Sequence, residues 1–204
     1  MKMRAKNPVS SEGDVKGYAG FGAMIASQQL TTPTIEGILE VLFGPGINSE
    51  DRLDVLLALT RRKPTEVFWP VLHTAWANCD DTWHLRSRLL KELRSRNGHM
   101  AGVNFLSMED RAFLDNLPDP ACVFRGCSKE RARGPAWTTD WKIAAGFARG
   151  HRGLGVPRPI IATALVYKSD VFSICTERKE SEVLLDPHKV EQLKVLPAEP
   201  RQLD

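Results

Sequence analysis

The hydrophobic pattern of the chain changes near residue 118, and this change constrains the fold more than any other feature. Before it, apolar residues recur every three or four positions, the spacing typical of amphipathic helices. After it come short apolar runs rich in valine and isoleucine, which are typical of strands. We therefore expect an α+β protein with a mobile N-terminus at 1–15, a helical region at 16–118 and an α+β region at 119–204.

The first part of the chain predicts four helices. They are expected from Ile35 to Leu42, ending at Gly44-Pro45-Gly46; from Ser49 to Thr60; from about Thr65 to Ala77, where Pro70 must kink the helix or lie in its first turn; and from Asp81 to about Arg96. The last helix carries the basic residues Arg86, Arg88, Lys91, Arg94 and Arg96. Such a row is typical of a solvated helix face, and contact with nucleic acid is the alternative.

The second part predicts five strands and one helix. Strands are expected at 121–124, 159–167, 171–175, 182–185 and 190–196. The helix is expected from Asp140 to about Arg149, with Asp140 as its N-cap and Ile143, Ala144 and Phe147 on its inner face.

Composition limits the class of protein. The chain has 204 residues, of which 42% are hydrophobic, enough for one full-sized domain or a moderate domain with an appendage. No run of about 18 apolar residues occurs, and we expect a cytoplasmic protein without an export signal. The four cysteines form no C-x-x-C and pair with no histidine at a zinc-ligand spacing, so we expect reduced thiols and no metal.

Positive charge is concentrated in one part of the sequence. The net charge is +3, yet the segment from Arg125 to Arg158 carries eight Lys or Arg residues against two acids, Glu130 and Asp140. Such a concentration favours an anionic ligand, which could be a nucleotide phosphate, a nucleic acid or an acidic protein surface.

The stretch RKESEVLLDP (178–187) places Glu180 and Glu182 two residues apart at the start of a predicted strand. On an extended strand such residues point to the same side, so the two carboxylates would repel each other unless a cationic or reactive group lies opposite.

Two further features precede this stretch. VFRGCS (123–128) places Arg125 at a strand end, and AWTTDWKIAAGFA (136–148) places Thr138 and Thr139 just before a helix. In this order the three features resemble the arginine, Ser-Thr-Ser and Glu-x-Glu signature of the NAD-dependent ADP-ribosyltransferase family, which includes bacterial toxins and phage transferases. The resemblance covers residues 120 to 196 and implies a split β-sheet core that binds NAD.

The resemblance implies a role for each matched residue. Glu182 would hydrogen-bond a ribose hydroxyl of NAD and stabilise the oxocarbenium-like ribose that forms as nicotinamide leaves. Arg125, with Gly126 beside it, would hold the diphosphate through paired N–H donors. Thr138 and Thr139 would brace the site as the second and third hydroxyl residues of the signature.

Two positions leave alternatives open. Trp137 stands where the family has its first hydroxyl, so either the motif is shifted by one residue or the Trp137 ring contacts the nicotinamide. Glu180 matches the first Glu of Glu-x-Glu, which serves the acceptor. Its being Glu resembles the arginine-directed branch of the family, while base, RNA or DNA acceptors stay open.

The resemblance implies a mono-ADP-ribosyltransferase that modifies protein or nucleic acid, such as a toxin or phage effector. One alternative is an NAD glycohydrolase on the same fold, and the other is a non-catalytic module that binds nucleic acid or protein. The helical region could recognise a target, regulate access or bind a neutralising partner, and no motif in it distinguishes these roles.

Overall fold

The computed structural model describes residues 34–96, 101–150 and 155–198. The N-terminal segment predicted to be mobile, 1–15, lies outside these described residues. Contacts between Cα atoms group the described residues from Ile35 onward as one unit. The mixture of helices with one sheet confirms the α+β class, with helices before residue 118 and the sheet after it.

Seven α-helices occur in the described ranges. They are α1 Ile35–Phe43, α2 Arg52–Leu59, α3 Thr65–Trp76, α4 Arg86–Arg96, α5 Ala101–Asn104, α6 Met108–Asn116 and α7 Trp141–Ala148. The first three confirm the predicted helices. Pro70 lies inside α3, beyond its first turn, since the helix begins at Thr65 with Pro64 as its N-cap. The fourth predicted helix is divided into a 3₁₀ turn, Thr82–Leu85, and α4.

Two short helices between the basic helix and the sheet, α5 and α6, were not predicted from the sequence. The hydroxyl of Ser107 accepts a hydrogen bond from the main-chain N–H of Asp110 at 3.1 Å and so caps α6. This Ser-x-x-Asp spacing is a helix-start signal that could have revealed α6 in advance.

Six strands in the described residues form one antiparallel sheet with the order β4-β5-β2-β1-β3-β6. The strands are β1 Ala121–Ser128, β2 Ala136–Thr138, β3 Pro159–Val166, β4 Val171–Cys175, β5 Glu182–Leu185 and β6 Glu191–Pro197. The predicted strands at 171–175 and 182–185 are confirmed at both ends. β2 was not among the five predicted strands.

The two faces of the sheet bury different groups. On one face Val123, Trp137, Ala162 and Val183 form the centre of the larger core, which also includes Val103 and Leu114 from α5 and α6. On the other face α7 packs through Ala144 and Ala148 against Ile161. Ile143 and Phe147, predicted to point inward, are only half-buried, so the buried side of α7 consists mainly of alanine.

Specific contacts join the helices to the sheet. Arg94 of α4 binds Asp186, just after β5, through two hydrogen bonds of 2.7 Å. A Cβ at Gly102 of α5 would lie 2.1 Å from the carbonyl oxygen of Phe172 in β4, so α5 can approach the sheet this closely because it has glycine there. Asp110 of α6 accepts a hydrogen bond from Thr176 N at 2.8 Å.

The basic row on α4 makes contacts within the protein. Arg88 pairs with Asp54, Arg96 pairs with Glu92 at 2.9 Å, and Arg86 lies over the ring of Trp83. Together with the Arg94–Asp186 pair, these contacts give four of the five basic residues a structural role. The row therefore needs no external ligand to account for it.

Candidate functional site

Arg125 fills the gap where β1 and β2 separate. The two strands pair only at Phe124 and Thr138 within the described ladder. Beyond that pair, the Arg125 guanidinium donates to the carbonyl oxygen of Ala136, and its Nε donates to the carbonyl oxygen of Arg131 at 3.0 Å. A Cβ at residue 134 would lie 2.4 Å from Nη2 of Arg125, so glycine at that position makes room for the guanidinium.

The orientation of Arg125 follows from the strand pairing. Phe124 is paired with Thr138, and alternation along β1 therefore directs Arg125 to the opposite face, the one that carries Cys127 and Trp137. Burial lowers the pKa of Arg125, and the nearby Cys127 and Glu182 act in the opposite direction. Arg125 is thus a half-buried cation that supports the junction of the two strands and lies within electrostatic range of Glu182.

Glu182 begins β5 and lies directly opposite Thr138 on β2 and Cys175 on β4. Side chains at paired positions share one face, so Thr138 and Glu182 are neighbours on the sheet. Thr138, and not Trp137, therefore stands beside the carboxylate on the sheet.

The environment of Glu182 disfavours its charged form. The pKa of Glu182 is raised to about 7, chiefly by burial and to a smaller extent by the nearby Glu180 carboxylate. A hydrogen bond with Trp76 and the positive charges of Arg125 and Arg178 lower this pKa, but they do not outweigh burial. A carboxyl group with a pKa near 7 can change its protonation state at physiological pH, which is typical of acid–base and electrostatic catalysts.

Glu180 is not on an extended strand, and the expectation of two neighbouring strand carboxylates is wrong. It adopts a helical conformation, with φ −89° and ψ −6°, at the end of a 3₁₀ turn. Arg178, Lys179 and Ser181 around it all have positive φ, at 59°, 56° and 47°. Such backbone conformations are costly for residues other than glycine and concentrate at functional sites. The Glu180 carboxylate still lies close enough to Glu182 to raise its pKa.

Trp137 lies in the core and not at the surface of a cleft. It is 2% exposed, packs in the larger core, and donates its indole N–H to the carbonyl oxygen of Gly134 at 2.8 Å. The other alternative, in which its ring contacts nicotinamide, therefore does not fit this position. Trp137 is therefore not proposed to contact NAD.

Gly126 and Thr139 have structural contacts. A Cβ at residue 126 would lie 1.8 Å from the carbonyl oxygen of Ala144, so Gly126 allows α7 to pack on β1. The main-chain N–H of Thr139 donates to the carbonyl oxygen of Ser181 at 3.2 Å, which ties the end of β2 to the turn before Glu182. These contacts position the site whether or not either residue touches a ligand.

Trp76 and Arg178 belong to the surroundings of Glu182 and were missed in the sequence. Trp76 ends α3 in the helical region, where no local pattern relates it to a strand more than 100 positions later. Arg178 lies within the quoted RKESEVLLDP stretch, and its position beside two glutamates was the available signal.

The four cysteines are free thiols, as predicted. Burial raises the pKa of Cys79 to about 12 and that of Cys175 to about 12, and both lie near the Glu182 carboxylate. Such thiols carry little of the reactive thiolate form at neutral pH.

Among the described residues, no group of three or more histidine, cysteine, aspartate or glutamate side chains is placed to hold a metal ion. In the same ranges, none of the helices has the length and apolar character needed to cross a membrane.

Comparison of the chain with protein-family models, with curated proteins and with solved structures finds no match. The family resemblance therefore rests on the motif residues of the sequence alone.

Proposed function

We propose that this protein is a mono-ADP-ribosyltransferase, which cleaves NAD and transfers ADP-ribose to a protein or nucleic-acid acceptor. The observation that carries the proposal is the pairing of Thr138 with Glu182 between β2 and β5, with Arg125 at the neighbouring β1–β2 junction within electrostatic range of Glu182. These residues come from separate parts of the sequence, and the strand register makes Thr138 and Glu182 neighbours. An arginine, hydroxyl residues and a glutamate are the residue types of the family signature that the sequence resembles.

Glu182 is proposed to act in its ionised form. Loss of nicotinamide develops positive charge on the ribose, and a carboxylate beside it stabilises the transition state more than the ground state. Because the pKa of Glu182 is about 7, a substantial fraction is ionised at neutral pH. The rate of NAD cleavage should therefore rise with pH through about 7 and level off above it.

Arg125 is proposed to contact the NAD diphosphate with donors that the protein does not use. A guanidinium has five N–H donors; the carbonyl groups of Arg131 and Ala136 take two of them, and the Cys127 thiol is a further partner of the guanidinium. The remaining donors include those of Nη2. In this role Arg125 would hold the strand junction and the diphosphate together.

The position of Glu180 bears on a second candidate function, which differs in the acceptor of ADP-ribose. Glu180 lies in a turn and not on the strand beside Glu182, so its alignment with an acceptor rests on the conformation of that turn. This observation favours an NAD glycohydrolase, in which water replaces the macromolecular acceptor while Glu182 keeps its role.

Labelled NAD and cell extract provide the test. The wild-type protein should release nicotinamide and label a macromolecule, and separate digestion with protease and nuclease identifies the class of acceptor. Glu182→Gln should lower nicotinamide release by roughly 100-fold or more. Glu191→Gln, at the first residue of β6, is the matched control and should retain activity. Release at the wild-type rate by Glu182→Gln would contradict the proposal.

Glu180→Ala separates the two outcomes. A transferase should lose labelling of the acceptor and keep part of its NAD hydrolysis. An NAD glycohydrolase would produce free ADP-ribose and no labelled macromolecule in the wild-type protein itself. Equal loss of both activities in Glu180→Ala would remove the separate role of Glu180.

A further inference from the structure

Trp141, the first residue of α7, presents a large aromatic surface to solvent. It is 42% exposed, and its ring meets the ring of Phe124 edge-to-face, with centroids 5.5 Å apart and an angle of 90° between the planes. Such a contact occupies at most one face of the indole ring, so the other face is available for stacking. Phe124 is half-buried on β1 and holds this ring against the sheet.

The strand register places this aromatic pair in one row with Glu182. Phe124 on β1 is paired with Thr138 on β2, and Thr138 is paired with Glu182 on β5. Side chains at paired positions share one face of the sheet and lie about 5 Å apart, so Phe124 is about 10 Å from Glu182 along the row. Trp141 adjoins the row at Phe124.

The face that carries this row is open to solvent beyond the first turn of α7. Cys122, two residues before Phe124 on the same strand, shares its face and is exposed. Thr163, the partner of Phe124 on β3, is half-exposed. A ligand can therefore approach the exposed ring of Trp141 without displacing α7, which packs farther along through Ala144 and Ala148.

The surface beside Trp141 is cationic. Lys142 and Arg149 are exposed and seven residues apart, so they lie on one stripe of the helix next to Trp141. Within the described ranges neither side chain makes an ion pair. The neighbouring acid, Asp140, uses its carboxylate to cap α7.

An exposed aromatic ring beside unpaired cations is the composition that binds single-stranded nucleic acid. Bases stack on the ring, whatever their sequence, while the cations contact phosphates. An acidic protein surface would satisfy the cations and would leave the aromatic ring without a planar partner.

We propose that the acceptor of ADP-ribose is a single-stranded nucleic acid, one base of which stacks on Trp141 while Lys142 and Arg149 contact its phosphates. The surface as an acceptor site rests on the proposed function, whereas binding of the strand does not. In the transfer, the bond between ribose C1′ and the nicotinamide nitrogen breaks, and nicotinamide leaves with the electron pair. C1′ then bonds to a nitrogen or oxygen of the nucleotide, whose proton passes to Glu180, the residue proposed to serve the acceptor.

Binding is tested without NAD, using a DNA decamer and an RNA decamer, each single-stranded and containing all four bases. Polyglutamate serves as the polyanion without bases. The wild-type protein should bind at least one decamer, with quenching of tryptophan fluorescence, and should bind polyglutamate roughly tenfold more weakly. The preferred decamer identifies the sugar. Equal affinity for polyglutamate, or no binding of either decamer, would overturn the inference.

Trp141→Ala removes the stacking surface and should weaken decamer binding roughly tenfold. Trp141→Phe keeps a ring packed on Phe124 in case the alanine variant does not fold, and it should lose the fluorescence quenching with a smaller loss of affinity. Phe43→Ala is the matched control, because Phe43 on α1 is also an exposed aromatic residue, at 46%, with Arg52 over its ring at 5.0 Å. Equal losses in Trp141→Ala and Phe43→Ala would rule out a specific platform.

The salt dependence tests the two cations. Each phosphate contact with a single strand contributes about 0.7 to the slope of log affinity against log salt concentration, so Lys142→Gln combined with Arg149→Gln should reduce this slope by about 1.4. Lys194→Gln, at an exposed lysine of β6, should leave the slope unchanged. An unchanged slope in the double variant would refute the phosphate contacts.

Labelled NAD separates this inference from the proposed function. With the decamers present, label should appear on nucleic acid, and Trp141→Ala should raise KM for the decamer roughly tenfold with little change in kcat. If NAD is never cleaved but the decamers bind with the expected losses, the proposed function fails and the nucleic-acid surface stands. If NAD is cleaved and label is found on protein alone, the proposed function stands and the inference is overturned.

Discussion

Thr138 holds the turn that leads into Glu182. Its hydroxyl donates to the carbonyl oxygen of Glu180 at 2.6 Å and accepts the main-chain N–H of Asp140 at 3.1 Å. Thr138 is 5% exposed, so water does not readily replace these hydrogen bonds. The motif threonine therefore acts on the position of the carboxylate through the backbone of the turn.

Thr138→Val should destabilise the protein by about 1–3 kcal/mol, because it leaves buried polar groups of the turn without their partner. Denaturant unfolding measures this loss, and NAD cleavage should fall with it as the turn loosens.

Thr138→Ser and Thr139→Val are the controls for that change. Thr138→Ser retains the hydroxyl and should recover most of the loss. Thr139→Val should cost no more than about 0.5 kcal/mol, because the contact of Thr139 to Ser181 is made by the main chain. Equal losses at positions 138 and 139 would show that the Thr138 hydroxyl has no special role.

The buried Glu182 carboxyl should make stability depend on pH. Its pKa is about 7 in the folded protein, compared with 4.5 for an unperturbed glutamate, so the folded state holds the proton more tightly than the unfolded state. The contribution of Glu182 to the free energy of unfolding is therefore most favourable below about pH 4.5, where the carboxyl is protonated in both states. This contribution is lost as pH rises through about 7.

Glu182→Gln should therefore be neutral near pH 4 and stabilising by on the order of 2 kcal/mol at pH 8, allowing for solvent screening of the half-buried group. Melting curves across this range measure the effect. Glu191→Gln should show no comparable trend. A Glu182→Gln effect that is constant with pH would contradict a raised pKa.

Gly126 and Gly146 lie in contrasting surroundings: the first is closely packed against α7, and the second, within α7, faces open space. A Cβ added at Gly126 would meet Ala144 O at 1.8 Å and Ala148 N at 2.6 Å, both main-chain atoms that cannot move aside easily. Gly126→Ala should cost about 3 kcal/mol or more, because the helix must move away from β1.

Gly146→Ala is the counterpart within the same helix. A Cβ there meets nothing within 4 Å, so alanine should stabilise α7 by about 0.5–1 kcal/mol through its higher helix propensity. Chemical denaturation of both variants measures the contrast. Similar effects at the two positions would contradict the close packing of α7 on β1.

Local sequence patterns were sufficient for many of the helices and strands. The apolar spacing in α1 and α2, the Asp140 cap of α7 and the β-rich runs of β4 and β5 are all signals carried by neighbouring residues. Asp140 accepts the main-chain N–H of Lys142 at 2.7 Å, as its position before the helix predicted.

The sequence could not establish which side chains meet. A strand exposes its residues alternately to two faces, and a shift of one residue in pairing reverses every face. Only the pairing of Trp137 with Val183 and of Thr138 with Glu182 decided that the tryptophan is in the core and the threonine beside the carboxylate.

The sequence by itself determined the α+β class, the ends of several elements and the residue types available for chemistry, because these depend on near neighbours along the chain. Only the tertiary structure decided that Glu180 lies in a turn, that Arg125 fills the separation of two strands, and that Thr138 pairs with Glu182. Those outcomes depend on packing between segments far apart in sequence, where burial and hydrogen bonding select one arrangement among many that local preferences allow.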